Sequence, residues 1–446
     1  MKRLLTLLLL SVGLTAHAQW YSGTSPKTGL VLCIHLTDSS AEIYSPMQSS
    51  NPIPVSHWSL DGNNLSIECK TIGLKINLTR KDNTFAGYWK QAFLKEDVTF
   101  YPTDTIFQLR RPQTPQPPYR FDEETVTTDY TDSQGNKVHL EGTLSYPKGG
   151  SSYPTLILVS GSGQQNRDEE IMQHKPFLVL ADYLASRGIA VLRYDDRGMG
   201  ASTGPTDSAD TRLFAEDAEA MLNALKGNPH VAPNHLGIGG HSEGGAIAPI
   251  VASRNKDVKF VVMLAGQGCT GRDVMLQQNE AIYRAAGLSD TLLDIRMACM
   301  RELFNIPPGS SQKAYKTVIG RHTASLTKKQ VDSIGFGRGA AASCKQQMDM
   351  PWMQHFLALD PAEYLPRVKC PMLAINGDRD CQVLAKPNLQ RIKALCPHAD
   401  CRTLPGLNHL FQHSTTGSPD EYILIEESFA PEALKLLADW ILKIKN

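Results

Sequence analysis

The chain has 446 residues, of which 41% are hydrophobic and 20% charged, and 45 Lys+Arg balance 45 Asp+Glu. That composition is globular and excludes a disordered or collagen-like chain. A formal charge of zero withholds the basic excess that nucleic acid or an anionic membrane surface requires. At about 100–200 residues per domain, the length predicts two or three domains.

The first 18 residues have the pattern of a secretory leader. Lys2 and Arg3 supply the charge, Leu4 to Leu14 the apolar stretch, and Ala16-His17-Ala18 a small-x-small cleavage site before Gln19. A membrane anchor needs about 20 apolar residues, and His17 and Gln19 come too early for one. No cysteine follows the cleavage site directly, since the first is Cys33. The expectation is an exported protein, periplasmic or extracellular, without a lipid anchor or an integral membrane span. Nine cysteines in an oxidising compartment can pair, and the odd count leaves at least one single. Cys33 with Cys69 and Cys396 with Cys401 are candidate pairs, but spacing alone does not settle connectivity. No CxxC pair and no HExxH helix occurs, so no metal ligand set is expected.

Residues 20–102 carry short alternating or β-branched runs at Leu30–Leu36, Glu42–Tyr44, Val55–Trp58, Leu65–Glu68, Leu74–Leu78 and Thr84–Trp89, separated by turns such as Asp61-Gly62-Asn63. They predict a small β-barrel or sandwich domain over 19–102. Pro102, Pro112, Pro115, Pro117 and Pro118 then crowd a stretch that can keep neither a ladder nor a helix. A stiff linker is expected over 103–120.

From residue 121 the pattern becomes α/β. After extended runs at Val126–Tyr130 and Val138–Tyr146 come short apolar strands at Thr155–Val159, Ile189–Tyr194, Leu236–Gly240, Val258–Leu264 and Met372–Asn376. Amphipathic stretches at Pro176–Ser186, Leu213–Lys226, Gly245–Ser253 and Leu389–Leu395 alternate with them, as crossover helices on a mostly parallel sheet must. A last helix is predicted from Pro431 to Ile444. Residues 269–350 interrupt the alternation with a mainly helical insertion, broken at Pro307-Pro308-Gly309 and placed to form a cap. Within it and just after it, Met297, Met300, Met348, Met350 and Met353 could line a lipophilic pocket or simply fill a core.

Gly240-His241-Ser242-Glu243-Gly244 follows a strand and opens a helix. This is the setting in which G-x-S-x-G presents a nucleophilic serine on a strained turn. A serine hydroxyl is a weak nucleophile at neutral pH and needs a base, itself oriented by a carboxylate. The strand Pro371–Asn376 ends in Gly377-Asp378-Arg379-Asp380. Asp380 is the favoured acid, with Asp378 as the loop-shaping alternative. Downstream, Leu404-Pro405-Gly406-Leu407-Asn408-His409 offers His409 as the base, with His413 the competitor. Acyl transfer also needs donors for a developing oxyanion. The N–H of Glu243 is one, and Ser162 or Gly163, in the loop Ser160-Gly161-Ser162-Gly163-Gln164, supplies the other. That loop lacks the spacing and the lysine of a nucleotide-binding loop.

On these motifs, residues from about 121 to 446 resemble the α/β-hydrolase superfamily, and its bacterial serine esterases and acyl hydrolases in particular. The segment from Ser160 to Glu169 is similar to their oxyanion loop, which more often reads G-S-G-P-Q-D-R-D; here Gln164 and Asn166 stand where Pro and Asp are common. Tyr194-Asp195-Asp196-Arg197-Gly198-Met199-Gly200-Ala201-Ser202 resembles the family's D-x-R-G-x-G-x-S turn, and Trp352 to Pro361 is also similar. Tyr44-Ser45-Pro46-Met47-Gln48 and Pro52-Ile53-Pro54-Val55-Ser56 resemble a small β domain that precedes such hydrolases in some exported bacterial proteins. The resemblance implies an α/β-hydrolase fold with a helical cap and a Ser242–His409–Asp380 triad cleaving a small acyl ester without a cofactor. A peptidase of the prolyl-oligopeptidase type and a non-catalytic glycan or lipid binder are the alternatives. The first 100 residues are too few for the peptidase's propeller. Oligomeric state is not indicated.

Overall fold

The computed structural model describes residues 19–26, 29–48, 52–91 and 94–444. The leader-like segment 1–18 lies outside them. The chain divides into two compact units, the first running to Arg110 and including Ile171–Gln173, the second taking the rest.

The first unit is antiparallel β throughout. Its strands are β1 (Gln19–Thr24), β2 (Val31–Leu36), β3 (Ala41–Tyr44), β4 (His57–Asp61), β5 (Asn64–Cys69), β6 (Leu74–Lys81), β7 (Thr84–Gln91) and β8 (Leu94–Thr103), in the order 3-2-1-8-7-6-5-4. Leu32, Ile34, Leu65, Ile67, Ile76, Leu78, Phe85, Trp89 and Phe100 share one buried core, and in β5 and β6 the residues between them are more exposed. The core corrects one candidate cysteine pair. Cys69 belongs to that core, whereas Cys33 is out of phase with Leu32 and Ile34 and its Sγ contacts Ser22 Oγ. All nine cysteines are free thiols. In the other candidate pair, Cys396 Sγ lies against the His398 ring rather than on Cys401.

In the second unit, β9 (Phe121–Thr131), β10 (Lys137–Pro147), β11 (Tyr153–Val159), β12 (Ala190–Tyr194), β13 (Val231–His241), β14 (Phe260–Leu264), β15 (Met372–Gly377) and β16 (Asp400–Leu404) form one sheet in the order 16-15-14-13-11-12-10-9. Pairing is parallel from β12 through β11 to β16 and antiparallel at β9 and β10. The interior strands are buried on both faces, which is why they read as unbroken apolar runs.

Helices α1 (Pro176–Ser186), α2 (Thr211–Ala224) and α3 (Glu243–Ala252) cover that sheet. One apolar cluster joins α2 and α3 to it and another joins α1. Next come α4 (Gly271–Ala285), α5 (Asp290–Leu303), α6 (Gln312–Thr323), α7 (Lys328–Ser333), α8 (Ala340–Asp349) and α9 (Pro351–Ala358), the predicted insertion, extended by α9. Pro307-Pro308-Gly309 falls between α5 and α6, as expected. Finally α10 (Ala385–Leu395) and α11 (Pro431–Lys443) return to the sheet. Among the described residues, no helix is long and apolar enough to cross a membrane.

Candidate active site

Strand β13 ends at His241 and α3 begins at Glu243, so Ser242 alone makes the turn, with φ 54° and ψ −116°. That is an unfavourable region for a residue with a Cβ, and such strain collects where function holds it. The flanking glycines are sterically required. A Cβ at Gly240 would lie 2.4 Å from the Gly244 backbone, and one at Gly244 would lie 2.1 Å from the Val159 carbonyl oxygen. Strand, turn and helix therefore close on one another, and Ser242 stays partly exposed at the rim of the sheet.

The loops after β15 and β16 bring Asp380 and His409 together. His409 Nδ1 lies 2.8 Å from Asp380 Oδ2. The other oxygen, Oδ1, accepts the backbone N–H groups of Gln382 and Val383 at 2.7 and 2.8 Å. Both side chains are nearly fully buried. A carboxylate on Nδ1–H leaves Nε2 free to accept a proton. Asp378 does something else: it is exposed, and its Oδ1 accepts the Gly406 N–H at 2.7 Å, shaping the turn ahead of His409. His413 is exposed and paired with Glu427 and Glu432. Close approach fixes the two loops, since a Cβ at Gly377 would lie 1.9 Å from the Leu407 carbonyl oxygen. Asn408 was not anticipated. It is buried, and its Oδ1 accepts the N–H groups of Leu410 and Gln412, which holds the loop that carries His409.

The loop after β11 is pinned at both ends by buried carboxyls. The Gly161 N–H donates to Glu169 Oε1 at 2.6 Å. Ser160 Oγ and the Gln165 N–H donate to Asp196. Between them, the N–H groups of Ser162 and Gly163 have no intramolecular acceptor among the described residues. Glu243 occupies the first position of α3, whose leading N–H groups lack intrahelical partners. The departures at Gln164 and Asn166 leave this loop intact: Asn166 Oδ1 accepts the N–H groups of Asp168 and Glu170.

The Asp195-Asp196-Arg197-Gly198-Met199-Gly200 turn backs the loop. Asp195 receives Arg167 and the Ala201 N–H. Gly200 has φ 52°, and a Cβ there would meet Asp195 Oδ2 at 2.3 Å. Arg197, fully buried, bonds Asp217 and Asp132. Burial, with smaller contributions from Asp217 and Glu169, pushes Asp196 up to about 8 from 3.8. The folded state thus holds this proton more tightly than the unfolded chain, so its contribution to stability is full below pH 3.8 and is lost as pH rises through about 8. Urea unfolding from pH 4 to 9 should show wild type losing ground to Asp196→Asn as pH rises. A pH-independent difference would contradict this.

A model of the alpha/beta hydrolase family matches residues 156–423. The chain belongs to this family. Esterase EstD of Thermotoga maritima is 28% identical to this hydrolase over 309 residues, which cover 69% of this chain and 64% of the relative; the match thus spans less than two thirds of the relative's length. Among solved structures, a hypothetical protein of Pseudomonas aeruginosa is 18% identical, covering 76% of this chain and 99% of its own with a TM-score of 0.46. An esterase of Pyrococcus furiosus is 16% identical, covering 76% and 98% with a TM-score of 0.41.

The hydrolase's cap reaches the elbow through Trp352 at the start of α9. Its Nε1–H lies 2.9 and 3.0 Å from the two carboxylate oxygens of Glu243, which also accepts Thr211 Oγ1 at 2.6 Å. Burial raises the Glu243 carboxyl above its usual range, while bonds from Thr211, Trp352 and the Ser162 side chain oppose this. Trp352→Phe strips one donor from a buried acceptor and should cost about 1–3 kcal/mol. An unchanged urea midpoint would show that the contact contributes nothing. Beside the loop lies a cavity of about 590 Å³, lined by Gly163, Gln164, Phe214, Gln346, Met350 and Trp352, among others. Of the five methionines considered for a lipophilic pocket, Met350 alone lines it. Met348 and Met353 are core of the cap, with Met300 packed against them, and Met297 is buried.

Proposed function

We propose that this hydrolase is a serine esterase. Ser242 Oγ attacks the acyl carbonyl of a carboxylic ester as His409 Nε2 takes its proton, and Asp380 orients and stabilises the imidazolium that forms. The N–H of Glu243 and that of Ser162 or Gly163 receive the oxyanion. His409 returns the proton to the departing alcohol, leaving an acyl-enzyme, and water activated by the same base then releases the acid. This sequence consumes no cofactor.

The observation that carries the reading is the His409–Asp380 bond in a family fold whose strained elbow holds Ser242. The likeness to an esterase of Thermotoga maritima supports ester over amide. The cavity beside the loop falls within the roughly 300–1,000 Å³ usual for small-molecule sites. Its mixed lining suits an acyl or alcohol group of moderate polarity. The leader-like residues 1–18 favour an exported enzyme.

The test is turnover by purified protein of p-nitrophenyl acetate and butyrate beside a proline-containing peptide anilide. Hydrolysis of the esters with kcat/KM well above the anilide supports the reading. The reverse preference would replace it with a peptidase, and turnover of neither by folded protein would return the binding-protein alternative.

A further inference from the structure

A second histidine lies inside the site, and the sequence motif disguises it. His241 occupies the variable position just before the elbow serine, in the last position of β13. Its ring is buried. Nε2 lies 2.9 Å from the backbone carbonyl oxygen of His409, and Nδ1 lies 3.0 Å from Glu169 Oε1. A carbonyl oxygen can only accept, so Nε2 carries hydrogen. Glu169 Oε1 already accepts the Gly161 N–H at 2.6 Å. An ionised Glu169 can accept from both the Gly161 N–H and an Nδ1–H on this one oxygen, the arrangement in which the ring carries a hydrogen on each nitrogen.

The His241 ring sits between the two halves of the machinery. Through its carbonyl contact it fixes the backbone of the base. Through Glu169 it fixes the loop that presents Ser162 and Gly163. Gly161 is itself packed on the elbow, since a Cβ there would lie 3.2 Å from both Ser242 Cβ and Glu169 Oε1. The charged and aromatic groups facing the ring are Glu169 from the loop after β11, His409 with Asp380 behind it from the loops after β16 and β15, and Phe411. Burial opposes a charge on His241. Glu169, then the His409 carbonyl and Asp380, favour it and prevail, leaving the ring above its usual range.

We propose that His241 and Glu169 form a buried imidazolium–carboxylate pair that positions the general base and the oxyanion loop against each other, making both positioning residues for the acyl-transfer reaction. The inference rests on the esterase reading for its kinetic consequence but not for its protonation state. Neither residue touches the reacting atoms, so each should act on kcat more than on KM. Losing a correctly placed oxyanion donor costs about 10²–10³-fold in kcat, and Glu169→Gln, which keeps shape but discards the charge that holds Nδ1–H, should approach the lower figure. The His241→Gln/Glu169→Gln double variant should lose no more than the worse single, because the pair acts as one unit.

The experiment combines these kinetics on a p-nitrophenyl ester with nitrogen-15 histidine NMR of the full chain carrying Ser242→Ala, the His241 signal being assigned by its loss in His241→Gln or His241→Asn. The expected result is two bonded hydrogens on His241 at pH 7 and a loss of about 100-fold in kcat with KM within threefold. A neutral ring with a single N–H at pH 7, or variants retaining kcat within twofold, would overturn the proposal. If wild type hydrolyses no ester, the esterase reading fails while the NMR still decides the pair. If Glu169→Gln does not fold, the NMR of the Ser242→Ala protein decides alone.

Discussion

Asp380→Asn should lower kcat by about 10⁴-fold, the loss seen when a triad carboxylate is exchanged for an amide that favours the wrong tautomer of its histidine. Here the amide would turn either an N–H or a carbonyl oxygen to His409 Nδ1. Meanwhile the backbone N–H groups of Gln382 and Val383 still demand an acceptor at Oδ1, so the amide NH₂ is directed at His409. The imidazole would then place its proton on Nε2, where the base must be bare. Asp378→Asn should stay within a few-fold of wild type, because an amide oxygen can accept the Gly406 N–H as a carboxylate does. Steady-state kinetics on one ester separates the two, and equal losses would remove Asp380 from its assigned role.

His409→Ala is expected to cost more, on the order of 10⁶-fold in kcat, since removing nucleophile or base alone can cost as much as removing the whole unit. His413→Ala should leave turnover nearly unchanged: that ring is exposed and its partners are two surface carboxylates. Adding Ser242→Ala to His409→Ala should bring little further loss. A loss that multiplies would mean that the two do not act together.

How much of this was legible in the sequence depends on the range of the interaction that creates each feature. The elbow is local, because a buried strand, two crowding glycines and a helix start are written within a dozen residues around Ser242. The place of Asp380 was legible for a similar reason, in a turn directly after the buried strand β15, whereas His409 follows the weakly apolar β16; Asp378 contacts the Gly406 turn. Edge and terminal elements were not legible. Strand β16, Asp-Cys-Arg-Thr-Leu, is partly exposed along its length and carries too little apolar signal, and β1 and β8 went unmarked although they are hydrogen-bonded neighbours. The placement of β4 at His57–Asp61 rather than Val55–Trp58 follows from a largely exposed strand whose pattern does not set its register.

The cysteines and methionines teach a different point. Cys33 lies out of phase with Leu32 and Ile34, off the core face that Cys69 joins, but the run Val31-Leu32-Cys33-Ile34 is apolar and buried throughout and carries no alternation from which to read this. Helical spacing of methionines likewise cannot tell the cap's own core from a cavity wall, and only the packing separates Met350 from Met348 and Met353. Glu169 and His241 are 72 residues apart. Nothing in either neighbourhood forecasts their meeting, although His241 lies within the elbow motif.

The central claim is that Ser242 is an activated nucleophile. The direct measurement is reaction of the purified protein with a fluorophosphonate, followed by mass-spectrometric location of the adduct, beside Ser242→Ala and His409→Ala. A single adduct on Ser242 is expected, absent from the first variant and at least about 10³-fold slower to form in the second, since without its base the hydroxyl reverts to a weak nucleophile. A folded wild-type protein that stays unlabelled, or that is labelled equally in Ser242→Ala, would contradict that claim.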